Sequence, residues 1–94
     1  LYVDEQCYAF YDIYPQSDTH FLVVPKTHIC CAKKITAENS AVVAHIFEVI
    51  AKLTEELGLD SYRIINNCGE GAGQTVMHLH FHVLSGKNLG ERLV

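Results

Sequence analysis

The chain has 94 residues, 49% of them hydrophobic and 19% charged, with a net charge of -4. This size and composition indicate a single globular domain and exclude intrinsic disorder. The acidic balance provides no basic surface for nucleic-acid backbones, and the apolar runs are too short for a transmembrane helix. No signal-peptide pattern opens the sequence. We therefore expect a cytoplasmic protein with neither a nucleic-acid nor a membrane partner.

The four cysteines support a reducing compartment. Cys7, Cys30, Cys31 and Cys68 form no C-x-x-C pair, and the adjacent Cys30 and Cys31 suit neither a routine disulfide nor a zinc knuckle. We interpret all four as free thiols.

The first quarter of the chain predicts three strands. Residues 1–3 and 7–11 are apolar runs separated by a polar turn, which is typical of a hairpin. A loop around Pro15 follows, and residues 20–25 form a nearly continuous apolar run that predicts a buried third strand. His20, a lone histidine at the start of that strand, is interpreted as structural.

The middle of the chain predicts one long helix. Thr36 is a suitable N-cap, and Gly58 is a suitable glycine just after the last turn. Between them the apolar residues recur at helical spacing, at Val42, Val43, Ile46, Phe47, Ile50, Leu53 and Leu57. His45 lies off this stripe, and we expect it to be exposed to solvent.

The last third predicts a fourth strand over 61–67, a glycine-rich turn over 68–73, and a fifth strand over 77–84. The tail from Ser85 predicts no regular structure. The order β-β-β-α-β-β indicates an α+β fold, in which one long helix packs on one face of a five-stranded antiparallel sheet. We expect one domain over residues 1–94.

A row of histidines dominates the fifth strand. His78, His80 and His82 alternate with Leu79, Phe81 and Val83. Strict alternation predicts a half-buried strand, with the apolar residues in the core and the imidazoles roughly 6–7 Å apart on the other face. Such a row suits either a metal ion or phosphate chemistry with an imidazole nucleophile.

The glycine-rich turn favours phosphate over metal. Gly69, Gly71 and Gly73 allow the backbone to approach a ligand, and Asn67 and Thr75 lie on either side as hydrogen-bond donors. A bound phosphate uses these features, whereas a metal site needs none of them. We expect no metal and no cofactor, although a metalloprotein remains an alternative.

The stretch His78-Leu79-His80-Phe81-His82-Val83-Leu84 resembles the signature of the histidine triad (HIT) family. Three further stretches resemble the same family in order and spacing, namely residues 9–13, 20–29 and 71–76. The sequence His82-Val83-Leu84-Ser85-Gly86 is similar to the Hint branch. Family members usually carry a segment before the first strand, which we expect this domain to lack, and the aromatic and proline residues usual after the triad strand are missing.

The resemblance implies roles for individual residues. His80 would be the nucleophile that attacks the α-phosphorus, and His82 would contact the phosphate and assist the leaving group. His78 and His28 would orient the nucleophile and move protons. The nucleotide would be held at the phosphate, at the ribose through Asp12 and at the base through Ile13; the phosphate ligands would be Asn67, Gly73, Gln74 and Thr75.

The resemblance also implies an activity. The expected function is that of a homodimeric phosphoramidase-like nucleotide hydrolase, which cleaves AMP or GMP conjugates through a covalent nucleotidyl-histidine. A dinucleoside polyphosphate hydrolase and a non-catalytic nucleotide-binding or interaction module are the alternatives.

Overall fold

The computed structural model describes residues 1–86 and residue 89. These residues form the strands Tyr2–Val3 (β1), Cys7–Tyr11 (β2) and Thr19–Pro25 (β3), the helix Ser40–Glu56 (α1), and the strands Arg63–Ile65 (β4) and Phe81–Ser85 (β5). Short 3-10 turns occur at Ala32–Lys34 and Glu70–Ala72. Ser85, which the sequence assigned to an irregular tail, is instead the last residue of β5. Residues 87–88 and 90–94 lie outside the described residues, so the prediction of an irregular tail stays untested there.

The five strands form one antiparallel sheet in the order β1-β2-β3-β5-β4. The predicted α+β fold is therefore confirmed, including the single long helix. Because β5 lies between β3 and the edge strand β4, His82 is on an interior strand, paired with Leu22 on one side and Ile65 on the other. In the described part of the chain, no helix is long and apolar enough to cross a membrane.

The core lies between α1 and one face of the sheet. Ile46 and Ile50 of the helix are almost fully buried, together with Phe21 and Val23 of β3. Leu79, Phe81 and Val83 are buried in the same cluster, as their alternation predicts. The opposite face of β5 carries His82, so one strand both anchors the core and presents an imidazole.

The ladder of β5 begins later than the sequence pattern suggests. Met77–His80 precede the strand, and the Leu79 N–H donates to Ile29 O at 2.6 Å instead of to the sheet. The carbonyls of His78 and His80 accept side-chain hydrogen bonds. The first two histidines therefore precede the ladder, on backbone whose polar groups bond to side chains and a loop.

The helix also begins later than predicted. Its N-cap is Asn39, whose side chain accepts from Thr36 N–H at 2.7 Å, and Thr36 O accepts from Ser40 N–H at 2.8 Å. Thr36 thus opens a turn before the helix. Gly58 follows the helix with φ +71, as expected of a C′ glycine.

His45 is less exposed than the sequence predicts. Its side chain is 24% exposed, and His45 Nε2 lies 2.5 Å from Asp4 Oδ2. This bond holds the pKa of the Asp4 carboxyl well below its usual range. Because Asp4 precedes β2 and His45 lies on α1, the pair joins the N-terminal hairpin to the helix.

Candidate active site

The orientation of His80 is determined by its own chain segment. Its Nδ1 lies 2.7 Å from the carbonyl oxygen of His78, and the Asn66 side-chain amide donates to His80 O at 2.8 Å. A carbonyl can only accept, so the proton of the neutral imidazole lies on Nδ1. The other nitrogen, Nε2, therefore carries an unprotonated lone pair.

His78 and His28 form a second imidazole pair. His78 Nε2 donates to Pro25 O at 2.8 Å, and His78 Nδ1 lies 3.2 Å from His28 Nδ1. With its proton on Nε2, neutral His78 accepts at Nδ1, so His28 is the donor. These two bonds fix the ring of His78. They thereby help to position the His78 carbonyl, which accepts the hydrogen bond from His80 Nδ1.

His82 bonds to a residue that the sequence interpretation treated as structural. His82 Nδ1 lies 2.9 Å from His20 Nε2, and His20 Nδ1 accepts from the Gln16 N–H at 3.1 Å. His20 therefore carries its proton on Nε2 and donates a hydrogen bond to His82 Nδ1. The proton of the neutral His82 ring then lies on its Nε2. Asp12 Oδ2 lies 3.6 Å from His20 Nε2.

Burial and like charges keep His82 neutral. Desolvation lowers its pKa, and the neighbouring His80 and His20 lower it further, against a smaller opposing effect of Asp12. The rings of His80 and His82 meet edge to face with centroids 5.1 Å apart. The site therefore presents a lone pair on His80 beside an N–H on His82.

Two clefts meet at this pair of rings. The first, which we name the apolar cleft, has a volume of about 360 Å³ and contains His78 and His80. Its walls are mostly apolar and aromatic: Tyr8, Phe10, Tyr11, Ile13, Leu22, Val24 and Val76, with Asp12 as its acidic residue. Such a lining suits a flat heterocycle and its sugar.

The second, which we name the Arg63 cleft, has a volume of about 530 Å³ and contains His20 and His82. Arg63 and the polar residues Gln16 and Asn67 contribute to its walls. The two central histidines thus face different clefts, and a group bonded to both rings would extend into each.

The glycine-rich turn is held by Gln74. This side chain is 2% exposed, accepts from the Gly69 N–H at 2.8 Å, and donates to the carbonyls of Cys30 and Val76. Asn67 donates to Ala72 O at 2.8 Å, and Thr75 is exposed. Gly69 and Gly73 both have φ +92, which favours glycine at the two ends of the turn.

The structure brings together most of the residues singled out from the sequence. Asp12 and Ile13 line the apolar cleft with His78 and His80, whereas Asn67 lines the Arg63 cleft with His82. Gln74 is buried within the turn, so its side chain supports the loop.

The sequence predicted neither the contact of His20 with His82 nor the presence of Arg63 in the same cleft. The alternation of side chains along β3 was the signal that could have revealed this contact, because His20 and Leu22 share a face and Leu22 pairs with His82. Directly paired residues of an antiparallel sheet share a face, and β3 was interpreted only as continuously buried.

Two groups of side chains have the spacing of metal ligands in the described part of the chain. They are Asp12, His20 and His82, and separately Asp4, Cys7 and His45. In both groups, hydrogen bonds already join two of the members. Burial raises the pKa of the Cys7 thiol to about 11, which disfavours the thiolate that a metal needs.

Comparison with known proteins identifies the family. The HIT domain model matches residues 1–89. The chain belongs to the HIT domain family.

Relatives of this HIT domain include a purine nucleoside phosphoramidase from Escherichia coli, which is 38% identical over 99% of this chain and 80% of that protein. An uncharacterized HIT-like protein from Synechococcus elongatus is 40% identical over 95% of this chain and 79% of its own length. A histidine triad protein from Clostridium difficile has a similar structure, with a TM-score of 0.92 and 43% identity over 97% of this chain and 81% of that chain.

Proposed function

We propose that this HIT domain hydrolyses purine nucleoside 5′-phosphoramidates, or related conjugates of AMP or GMP, through a nucleotidyl group bound to His80. The observation that carries the proposal is the hydrogen bond from His80 Nδ1 to His78 O at 2.7 Å. It presents the Nε2 lone pair of His80 for attack on phosphorus.

The same bond assists both halves of the reaction. When His80 Nε2 bonds to phosphorus, the bond from phosphorus to the leaving nitrogen breaks, and the amine departs with the proton of the His82 Nε2–H. The His80 ring keeps its own Nδ1 proton and becomes a cation. The carbonyl dipole of His78 stabilises that cation. A cationic imidazole is a good leaving group, so water can then attack the phosphorus and break its bond to His80 Nε2. The nucleotide leaves with the hydroxyl group, and the second proton of the water returns to His82.

His82 acts on the departing side of the phosphorus. Its lowered pKa keeps the ring neutral, and the bond from His20 leaves its proton on Nε2. That N–H donates a hydrogen bond to the leaving atom or to a phosphate oxygen, where negative charge develops.

Each cleft binds a different part of the substrate. In this proposal the base and ribose occupy the apolar cleft, with Asp12 accepting from the ribose hydroxyls and Ile13 against the base. Asn67, Gly73 and Thr75 contact the phosphate, while Gln74 holds their loop in place. The 38% identity to a purine nucleoside phosphoramidase supports the choice of substrate.

The test is to mix the protein with adenosine 5′-phosphoramidate and follow AMP release together with intact mass after rapid acid-free quenching. We expect turnover and a mass increase of one adenylyl group in the wild type. His80→Ala should lose both, with a rate lower by at least about 1,000-fold, as for removal of a nucleophile.

A histidine outside the site provides the control. His45→Gln removes an imidazole on α1 and should leave turnover close to the wild-type value. Normal turnover by His80→Ala would refute the covalent role of His80. Saturable AMP binding without turnover by the wild type would instead support a non-catalytic nucleotide-binding module, and preferential cleavage of diadenosine polyphosphates would support that hydrolase class.

A further inference from the structure

The loop between β2 and β3, residues 12–18, determines which nitrogen of His20 is protonated. Gln16 N–H donates to His20 Nδ1 at 3.1 Å, which leaves the ring proton on Nε2. The Asp12 carboxylate lies 3.6 Å from His20 Nε2, beyond hydrogen-bonding distance, and so fixes the tautomer less strongly. The bond from Gln16 therefore determines, through His20, that the His82 proton lies on Nε2.

The position of Gln16 depends on the rest of the β2–β3 loop. Its side chain donates to Tyr14 O at 3.0 Å, and Tyr14 N–H donates to Asp12 Oδ1 at 2.8 Å. Asp12 N–H in turn donates to His20 O at 3.0 Å, which closes the loop at its first residue. At the other end, one residue separates Gln16 from Asp18. A displacement of the Asp18 backbone is therefore transmitted to the Gln16 N–H.

Gly86 contacts the loop at Asp18. The pairing of β3 with β5 ends at Thr19 and Ser85, so Asp18 lies opposite Gly86 one step beyond the ladder. A Cβ on Gly86 would lie 2.9 Å from Asp18 Oδ2 and 3.0 Å from both its Cβ and its Cγ. Rotation of the Asp18 side chain leaves its own Cβ in place, so only a shift of the backbone relieves the contact. Gly86 also has φ +153, which side chains rarely allow.

We infer that Gly86 is a positioning residue, which keeps the proton of His82 on Nε2 by allowing the β2–β3 loop to lie close against the end of β5. The inference rests on the proposed function for its effect on turnover. At 3.1 Å the bond from Gln16 N–H to His20 is near the long end of the normal range, so a shift of about 0.5 Å breaks it. Neutral His20 can then carry its proton on Nδ1 and accept at Nε2 from His82 Nδ1, which leaves His82 Nε2 without a proton to donate.

The first experiment measures the histidine tautomers by ¹⁵N NMR of the protein without substrate, at about pH 8, where imidazoles are neutral. We expect wild-type His20 and His82 both to be protonated at Nε2. In Gly86→Ala, both rings should show a population protonated at Nδ1. Asp18→Gly removes the atoms that an alanine at this position would meet, so the double variant Gly86→Ala/Asp18→Gly should return towards the wild-type spectrum.

The second experiment compares two leaving groups. The amine of adenosine 5′-phosphoramidate needs a proton from His82 as it leaves, whereas the p-nitrophenolate of p-nitrophenyl adenosine 5′-phosphate leaves without one. Gly86→Ala should lower kcat for the phosphoramidate roughly 10-fold and change it much less for the nitrophenyl ester. The double variant with Asp18→Gly should recover most of the loss. Equal slowing of both substrates would overturn the inference, since it would indicate general damage to the site.

Gly58→Ala is the matched control, because Gly58 also has a positive φ but an added Cβ would meet no atom within 4 Å. It should keep the wild-type tautomers and the wild-type ratio of the two rates. Gln16→Pro removes the N–H directly and should reproduce the tautomer change even if Gly86→Ala does not fold. Unchanged tautomers in either variant would overturn the inference. If the wild type hydrolyses neither substrate, the proposed function fails, and the NMR spectra alone decide the inference.

Discussion

At the scale of single residues, the site works through the positions of protons. Each ring in the cluster has a hydrogen-bond partner that fixes which nitrogen is protonated: a carbonyl for His78 and His80, and a backbone N–H for His20. The protonation of His82 follows from its bond to His20. Residues that touch no substrate can therefore decide which atom reacts.

The bond from His20 to His82 can be tested with a conservative pair of variants. His20→Leu removes the donor, so His82 can adopt the tautomer that points a lone pair at the leaving atom; we expect kcat to fall on the order of 100-fold. His20→Gln retains an N–H at a similar position and should recover most of the activity.

The pH profile distinguishes this positioning role from damage to the fold. Because His20 lowers the pKa of His82, the acid limb of the kcat profile should move to higher pH in His20→Leu. A uniform loss of activity at every pH, with the limb unmoved, would contradict the assignment.

The lowered pKa of His82 also predicts how stability changes with pH. The folded pKa lies below the unfolded value of about 6.5, so between the two the unfolded chain binds more protons. Stability from this residue is therefore fully present above about pH 6.5 and is lost as the pH falls through the folded pKa. We expect Tm to fall less between pH 7.5 and 5.5 in His82→Gln than in the wild type. An equal fall of Tm with pH in the two proteins would show that groups other than His82 cause the loss of stability.

At the scale of elements, the sequence predicted the type and order of the strands and the helix better than the residues at which they begin and end. The alternation around the triad correctly placed Leu79, Phe81 and Val83 in the core, because burial on one face requires period two. It did not reveal that the ladder starts at Phe81, because side-chain bonds to the carbonyls of His78 and His80 replace it. Periodicity carries no information about such bonds, or about the contact between His20 and His82 from distant strands.

The end of the helix gives a prediction with a matched glycine control. Gly58 has φ +71, and the Leu59 N–H and Gly58 N–H bond back to Thr54 O and Glu55 O. Gly58→Ala forces a side chain into the left-handed region, and should cost about 1 kcal/mol, or roughly 4–8 °C in Tm.

Gly71→Ala is the control, because Gly71 has no left-handed φ and an added Cβ would meet no atom within 4 Å. It should leave Tm nearly unchanged in a thermal melt followed by circular dichroism. Similar losses in both variants would show that the strain at Gly58 is not the cause.

At the scale of the whole molecule, the homodimer stays a prediction. The strand β4 lies at one edge of the sheet, and α1 leaves Phe47 45% exposed. We expect a dimer formed through α1 and β4, and sedimentation should show it dissociating to monomers in Phe47→Glu. Val3→Glu changes an exposed residue of β1, at the opposite edge, and should remain dimeric. A wild-type monomer would refute the prediction.

The position of β5 between the two clefts has an evolutionary consequence under the proposed function. The strands on one side, β2 and β3, carry half of the residues that line the apolar cleft, whereas β4 on the other side carries Arg63 and Ile65 of the Arg63 cleft. Mutations that change the lining of one cleft therefore fall on different strands from mutations that change the lining of the other. Under the proposed function, contacts to the nucleoside and contacts on the far side of the phosphate could therefore change independently in evolution, around a fixed pair of imidazoles.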